Sequence, residues 1–272
     1  MRVAYLGPAG TFGEEAAIRF REDSERVPCA SHAAVAAAVE AGAADYGVLA
    51  IENSLNGSVA ETLDILIHDV DLQIQNEVVV PVVHNLIVKP GCAIEDVRVV
   101  YSHPQALGQC RQYLERALPG AQLEATLSTA AAVSTAIARG CEAAAIATLR
   151  AAELFGGEVL AASIQDAENN VTRFVVVGRG TPGPTGRDRT SIAFTFPQDQ
   201  PGALASVLNE FAKRGINCTK IESRPTKEVF GEYAFLIDFE GHAAEPAGAE
   251  VLAAIGPLCE TVKVFGSYPR WR

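Results

Sequence analysis

The sequence predicts an α/β protein in two parts: a pair of α/β lobes, then a smaller βαββαβ sandwich. Three observations predict it. Short apolar strands alternate with helices as far as Gly178, the pattern of parallel or mixed sheets covered on both faces. Gly180–Gly186 (GTPGPTG) then places three Gly and two Pro in seven residues, which no helix or strand interior tolerates. Beyond it the order of elements changes. The charge changes there too: residues 1–180 hold 12 basic and 22 acidic side chains, residues 181–272 hold 10 and 11.

In the first part, Val3–Leu6 reads as a strand that stops at Gly7-Pro8, and Thr11–Arg21 as a helix. Ala33–Ala41 is an Ala-rich helix, followed by the apolar strand Tyr46–Ile51 and a helix over Ser58–His68. Gln73–Lys89 is rich in Val and Ile and reads as extended, with Pro81 marking a break or an edge. It is long enough to carry the chain from one lobe to the other. Asp96–Tyr101 is a strand, His103–Ala117 and Thr129–Arg139 are helices, and Ala143–Ala147 and Val171–Gly178 are strands. In the second part, strands at Ser191–Phe196, Ile216–Glu222, Tyr233–Phe239 and Thr261–Phe265 enclose helices at Gly202–Arg214 and Glu245–Ile255. That order is βαββαβ, a ferredoxin-like sandwich with an open face or edge for a second copy. The expected domains are 1–180, a linker at 181–188, and 189–272.

Composition narrows the function. With 49% hydrophobic and 20% charged residues the chain can fill a core. A net charge of −11 disfavours general nucleic-acid binding, which needs basic surface to displace counterions. No Lys or Arg lies between Arg26 and Lys89, where eight acids fall, so an anion held there is held without basic side chains of that stretch. The six cysteines form no C-x-x-C pair and read as small buried hydrophobes, and the five histidines have no ligand spacing. No metal site is expected. No apolar run reaches membrane-spanning length and no signal-peptide core follows Met1, which points to a reducing cytoplasm.

Four segments concentrate polar residues at strand ends. Thr11…Glu14, Ser58…Glu61 and Ser102…Gln105 each place a hydroxyl three residues before Glu or Gln, as in a helix capping box. Such caps commonly only stabilise helices. Three of them at the carboxyl ends of strands mark the edge where open α/β sheets bind ligands, and helix N-termini attract anions. Gly7–Thr11 allows close backbone approach. Glu52–Ser58 crowds a carboxyl group, two carboxamides and hydroxyls after a buried strand, where burial would keep Glu52 protonated as a donor. Gln105 and Gln109 share a helix face. In Asn169–Phe174, alternation puts Asn170, Thr172 and Phe174 on one face. Arg173, on the other, is the basic residue of these segments and the candidate partner of a carboxylate.

These residues carry a resemblance. Gly7-Pro8-Ala9-Gly10-Thr11-Phe12, Ile51-Glu52-Asn53-Ser54 with Gly57-Ser58, Ser102-His103-Pro104-Gln105-Ala106-Leu107 and Asn170-Val171-Thr172-Arg173-Phe174 occur in the order of monofunctional prephenate dehydratases. Pro201-Gly202-Ala203-Leu204 and Glu222-Ser223-Arg224-Pro225 match the regulatory ACT domain that follows in that family. Gly13 stands where many members have Ser, and Ala50 where many have Pro. The resemblance implies a two-lobed catalytic unit like type II periplasmic binding proteins. It also implies conversion of prephenate to phenylpyruvate, CO2 and water in L-phenylalanine biosynthesis, with no cofactor, because aromatisation drives the reaction. It assigns catalytic positions to Thr172, Glu52, Asn53, Ser102 and Gln109. Thr11, Ser54, Ser58, His103, Gln105, Asn170, Arg173 and Phe174 would bind substrate. L-Phenylalanine would bind Gly202, Ala203, Leu204, Asn217, Glu222, Ser223, Arg224 and Pro225 between paired ACT domains, making a homodimer or homotetramer. Arogenate dehydratase, and a non-catalytic two-lobed amino-acid sensor, are the alternative readings.

Overall fold

The computed structural model describes residues 1–198, 200–227 and 231–271. In chain order the elements are β1 (Arg2–Leu6), α1 (Phe12–Phe20), β2 (Glu25–Cys29), α2 (His32–Glu40), β3 (Tyr46–Asn53), β4 (Gly57–Ser58) and α3 (Ala60–Asp64), which a π-turn extends to Asp69. Then come β5 (Gln73–Pro81), β6 (Asn85–Val88), β7 (Val99–Ser102), α4 (Pro104–Gln109), α5 (Arg111–Ala117), β8 (Gln122–Ala125), α6 (Thr129–Arg139), β9 (Ala143–Ala147), α7 (Leu149–Phe155), β10 (Glu158–Ala161) and β11 (Val171–Gly178). The C-terminal elements are β12 (Asp188–Thr195), α8 (Ala203–Lys213), β13 (Cys218–Pro225), β14 (Tyr233–Glu240), α9 (Pro246–Ile255) and β15 (Thr261–Pro269).

The first lobe is a sheet of order β2-β1-β3-β11-β5, with β4 folded back on β3. β1 runs parallel to β2 and β3. The second lobe has order β10-β6-β9-β7-β8 and is mixed: β7 is parallel to β8 and β9, while β6 is antiparallel to β9 and β10. The chain enters the second lobe between β5 and β6 and returns between β10 and β11. The third sheet, β13-β14-β12-β15, is antiparallel, as the βαββαβ order requires. The expected fold class is therefore present.

Period-2 burial explains the second lobe. Leu86, Val88, Val100, Ala144 and Ile146 face α4 and α5, whereas Ile87, Val99, Tyr101, Ala143 and Ala145 face α6 and α7. Both faces are covered, so all five residues of β9 are buried. By packing, residues 1–62 and 78–174 form one compact group and residues 63–77 and 175–272 another. Within the second group, Lys263 Nζ donates to the carbonyls of Ile67 (3.2 Å) and Val70 (2.7 Å), and Arg189 pairs with Glu77. Gly266 lies so close to Ile74 that a Cβ would stand 2.4 Å from its carbonyl oxygen. Residues 63–77 thus pack with the C-terminal sandwich, although they fall mid-way along the first sequence domain.

Several elements escape the sequence pattern. β8 is exposed at every residue and shows no apolar run, and β2 contains Pro28. The helix expected over His103–Ala117 breaks at Cys110, which leaves helical geometry at φ −117°, ψ 18°. The helix expected from Ser58 starts at Ala60, because Ser58 is still a strand residue paired with Glu52. The cysteine reading also changes. Cys92 and Cys141 form a disulfide, closing a loop of 49 residues in the second lobe. Cys29, Cys110, Cys218 and Cys259 are free.

Candidate active site

A cleft of about 970 Å³ lies between the two lobes, entirely within residues 1–62 and 78–174. Strand exits of the first lobe and helix starts of the second line it. Among the described lining residues there is no Lys or Arg, and Glu61 is the one carboxylate.

The most ordered corner is at the ends of β3 and β11. Asn53 is buried, and its Oδ1 accepts from the backbone N–H groups of Leu55 (3.1 Å) and Asn56 (3.0 Å). Two backbone donors on that oxygen fix the amide, so Nδ2 must donate. It does, to Asn170 Oδ1 (2.8 Å), Val171 O (3.2 Å) and Thr172 Oγ1 (3.0 Å). Thr172 accepts from Asn53 and has no acceptor for its own proton among the described residues. A hydroxyl in that state can donate to a ligand in the cleft. Thr172 and Phe174 line the cleft, with Asn170 buried beside Asn53.

Three helices of useful length start at the cleft wall. Thr11, Ser31 and Ser128 each line it, and each hydroxyl accepts a backbone N–H of its own helix: Glu14 (3.4 Å), Ala34 (3.1 Å) and Ala131 (3.1 Å). Their remaining first-turn N–H groups and positive dipole ends make the wall receptive to anions. The Gly7–Thr11 loop is held by the second lobe, since Thr148 Oγ1 donates to Gly10 O (2.7 Å). Gly10 has φ +87°, and a Cβ there would meet Ala151 at about 3 Å, so glycine is required twice over.

Across the cleft, α4 presents Gln105 and Gln109, whose Nε2 groups both donate to Asn56 Oδ1 (2.8 and 3.0 Å). The shared helix face expected from their spacing is there. Gln109 Oε1 meets His84 Nε2 at 2.9 Å. His84 is buried between the lobes, and that burial pushes its imidazole below the ordinary value, although the Gln109 bond opposes the shift. His32 Nδ1 meets Glu61 Oε2 at 3.1 Å on the same wall.

Three expectations need correction. Glu52 is not buried: its side chain is 38% exposed and accepts from Arg173 Nη2 (2.9 Å) and Nε (3.2 Å). The burial on which the donor role rests is therefore absent at Glu52, which faces a guanidinium instead. Val48 and Ala50 line the cleft, but the alternation fails at the strand exit, where Asn53 turns in and Glu52 turns to Arg173. Arg173 does pair with a carboxylate, as its charge suggested, and through Nε and Nη2 that carboxylate is Glu52. Ser102 is wholly buried and donates to Ile146 O (2.7 Å); His103 is the actual cap of α4, its Nδ1 accepting from Gln105 N (3.3 Å). Ser58 is a strand residue paired with Glu52 rather than the first residue of a helix, and Glu61 goes to His32. Ser54 Oγ accepts from Val171 N (3.0 Å) and donates to Asn169 O (3.3 Å), which ties β3 to the start of β11.

Thr11, Asn53, His103, Gln105, Gln109, Thr172 and Phe174, each expected at the site, line the cleft. His84, His32 with Glu61, and the caps Ser31 and Ser128 line it outside those expectations. The two serines were legible, each standing at the start of an Ala-rich helix. His84 carried no local signal.

In the C-terminal group, Gly202 precedes α8 with φ +88°, and a Cβ there would meet nothing. Ala203 and Leu204 open that helix. Asn217 is exposed, and its carbonyl accepts from Glu240 N (3.0 Å). Glu222–Pro225 form the end of the edge strand β13, with Ser223 and Pro225 exposed. Glu222 pairs with Lys220 (3.2 Å) and Arg224 with Asp64 (3.1 Å).

The prephenate dehydratase family model matches residues 3–182, and the ACT domain model residues 192–257. The chain belongs to the prephenate dehydratase family. Prephenate dehydratases are hydro-lyases, and the cleft described above lies within the matched segment. The prephenate dehydratase of Mycobacterium tuberculosis (strain ATCC 25618 / H37Rv) is 42% identical over 281 residues, covering 99% of this chain and 87% of that protein. Among solved structures, a prephenate dehydratase from Arthrobacter aurescens in complex with L-Phe superposes with a TM-score of 0.92 at 36% identity, covering 99% of this chain and 90% of that one. A chain described as a novel type of quorum quenching acylase superposes with a TM-score of 0.90 at 32% identity, covering 100% and 98%.

Proposed function

We propose that the cleft dehydrates and decarboxylates prephenate to phenylpyruvate in the L-phenylalanine pathway, and that L-phenylalanine regulates it through the ACT domain. The observation that carries the catalytic reading is Thr172, whose oxygen accepts from Asn53 while its own proton has no acceptor among the described residues. The substrate is a dianion with one ring hydroxyl. Its carboxylates suit the helix starts at Thr11, Ser31 and Ser128, in a cleft wall with no Lys or Arg among its described lining residues. The hydroxyl suits Thr172. As the C–O bond breaks, the departing oxygen gains negative charge and takes a proton through Thr172, while the ring carboxylate leaves as CO2 and its bonding electrons complete the aromatic ring. A Thr hydroxyl is a weak acid, so its part is to orient and relay a proton. Asn53 holds Thr172, and the Gln105 and Gln109 amides complete the polar lining. Glu52 with Arg173, and Ser102, support these strands from behind the wall.

In the C-terminal part, the exposed Gly202 with the half-buried Ala203 and Leu204, and the exposed side of Glu222–Pro225, supply one half each of an amino-acid pocket, completed by a second copy. Edge strand β13 also exposes Ile221 (49%), which suits pairing into a homodimer or homotetramer. Cytoplasmic location is part of the proposal. The Cys92–Cys141 bridge speaks against a fully reducing site, and alkylation of the protein taken directly from cells decides whether it forms there.

The test is conversion of prephenate followed by absorbance of phenylpyruvate in base, with arogenate in parallel. A larger kcat/KM for prephenate and a loss of rate with L-phenylalanine are expected. A larger value for arogenate would make the protein an arogenate dehydratase. No product from either at micromolar protein would leave a non-catalytic sensor.

A further inference from the structure

His84 joins the Gln109–Asn56–Gln105 chain through one ring nitrogen only. Nε2 meets Gln109 Oε1, while Nδ1 is buried and without a hydrogen-bond partner among the described residues. The ring cannot turn to relieve this easily. Its backbone is pinned on both sides, the N–H donating to Gln165 Oε1 (3.0 Å) and the carbonyl accepting from Ile164 N (2.9 Å), and the Phe12 ring stands edge-on at 5.7 Å.

Three carboxamides in a row can run in either direction. In one, each glutamine turns an N–H to Asn56 and Gln109 shows its oxygen to His84. In the other, every amide is turned over, His84 Nε2 accepts, and the ring proton sits on Nδ1. The second direction buries an N–H with no acceptor, which is rarer and costlier than a bare buried acceptor. The orphaned nitrogen therefore selects the first.

We propose that His84 is the positioning residue of this cleft: its Nε2–H form sets the direction of the Gln109–Asn56–Gln105 chain, so that both glutamines aim N–H groups toward the site. Each amide keeps a second N–H, which serves an anionic ligand where a carbonyl oxygen would repel it. The burial that disfavours the imidazolium keeps the ring in this neutral form. His84 acts through Gln109 and supplies no proton to the reaction. The catalytic consequence rests on the dehydratase reading above; the direction of the chain does not.

Two measurements test it. In the 15N spectrum of the unliganded full-length protein near neutral pH, the His84 signals, identified by their loss in His84→Leu, are expected to show a protonated Nε2 and a bare Nδ1. Protonation at Nδ1 would overturn the proposal. With prephenate, His84→Leu is expected to lower kcat and kcat/KM together by about 10- to 100-fold, the cost of a misdirected transition-state contact. In a Gln109→Ala background the same substitution is expected to change kcat/KM less than about threefold, because the residue it positions is gone. An equal loss in both backgrounds, or none in either, contradicts the positioning role. If the wild type makes no phenylpyruvate, the dehydratase reading fails, and the 15N result still decides the direction of the chain.

Discussion

Thr172 and Arg173 are neighbours on one strand, and Asn53 and Glu52 on another, yet the two cross-strand pairs are built differently. Asn53–Thr172 is neutral, faces the cleft and leaves the Thr172 proton without an acceptor among the described residues. Glu52–Arg173 is charged and pairs within the protein. The same contrast recurs in the C-terminal group, where Asp64 takes hydrogen bonds from Arg224 (3.1 Å) and Lys227 (2.6 Å). The difference teaches where this protein keeps its charges. Ion pairs hold strands and loops, and the described lining of the cleft is mainly neutral dipoles, with Glu61 beside His32 the exception. A wall of amides, hydroxyls and helix starts can bind a dianion without a permanent counter-charge that would stabilise substrate and transition state alike.

The largest effect expected is at the neutral pair. Thr172→Ala should lower kcat by about 100-fold or more with little change in KM, if the hydroxyl acts on the transition state. Steady-state kinetics on prephenate checks this, and a change confined to KM would break the contrast. Asn53→Asp comes next. It places a carboxylate against the oxygens of Asn170 and Val171 in a site where Asn53 is only 6% exposed. A cost of about 2–3 kcal/mol is expected, read as a lower urea midpoint near neutral pH. An unchanged midpoint would mean that the corner rearranges freely.

The charged pairs should respond less. Glu52→Gln keeps shape and one acceptor, so kcat/KM should fall by about tenfold or less. The smallest effect is a pH dependence at Asp64. Burial alone would raise its carboxyl, but the hydrogen bonds from Lys227 and Arg224 outweigh it and hold the group below the usual carboxylate range. Its stabilisation is therefore complete above the unfolded value and is lost as pH falls through the lower folded value. The stability difference between wild type and Asp64→Asn should be constant from near neutral pH down to about 5 and shrink below about 4. A difference that grows on acidification would mean that Asp64 is not held by these cations.

Most of the fold is legible because it follows local rules. β9 is read as a strand from five consecutive apolar residues, and α6 from its run of Ala and Val between polar residues. β8 and β10 were not legible, since they complete a sheet through partners remote in sequence. At the site, Asn53, Gln105, Gln109 and Thr172 could be found because motifs mark strand exits. The roles of Glu52 and Ser102 could not, because strand alternation fails at residue 53 and because Ser102 is claimed by a carbonyl 44 residues away. His84 was invisible for a related reason: its meaning comes from Gln109 and from an empty ring nitrogen, and neither is a local pattern. The disulfide was equally hidden, its cysteines being brought together only by the packed second lobe.

The central claim is that the neutral pair carries the chemistry and the charged pair carries the scaffold. Its most direct test is kcat for prephenate, measured side by side for Thr172→Ala and Glu52→Gln. A loss of about 100-fold or more in the first and about tenfold or less in the second is predicted. A Glu52→Gln enzyme that loses turnover as severely as Thr172→Ala would contradict it.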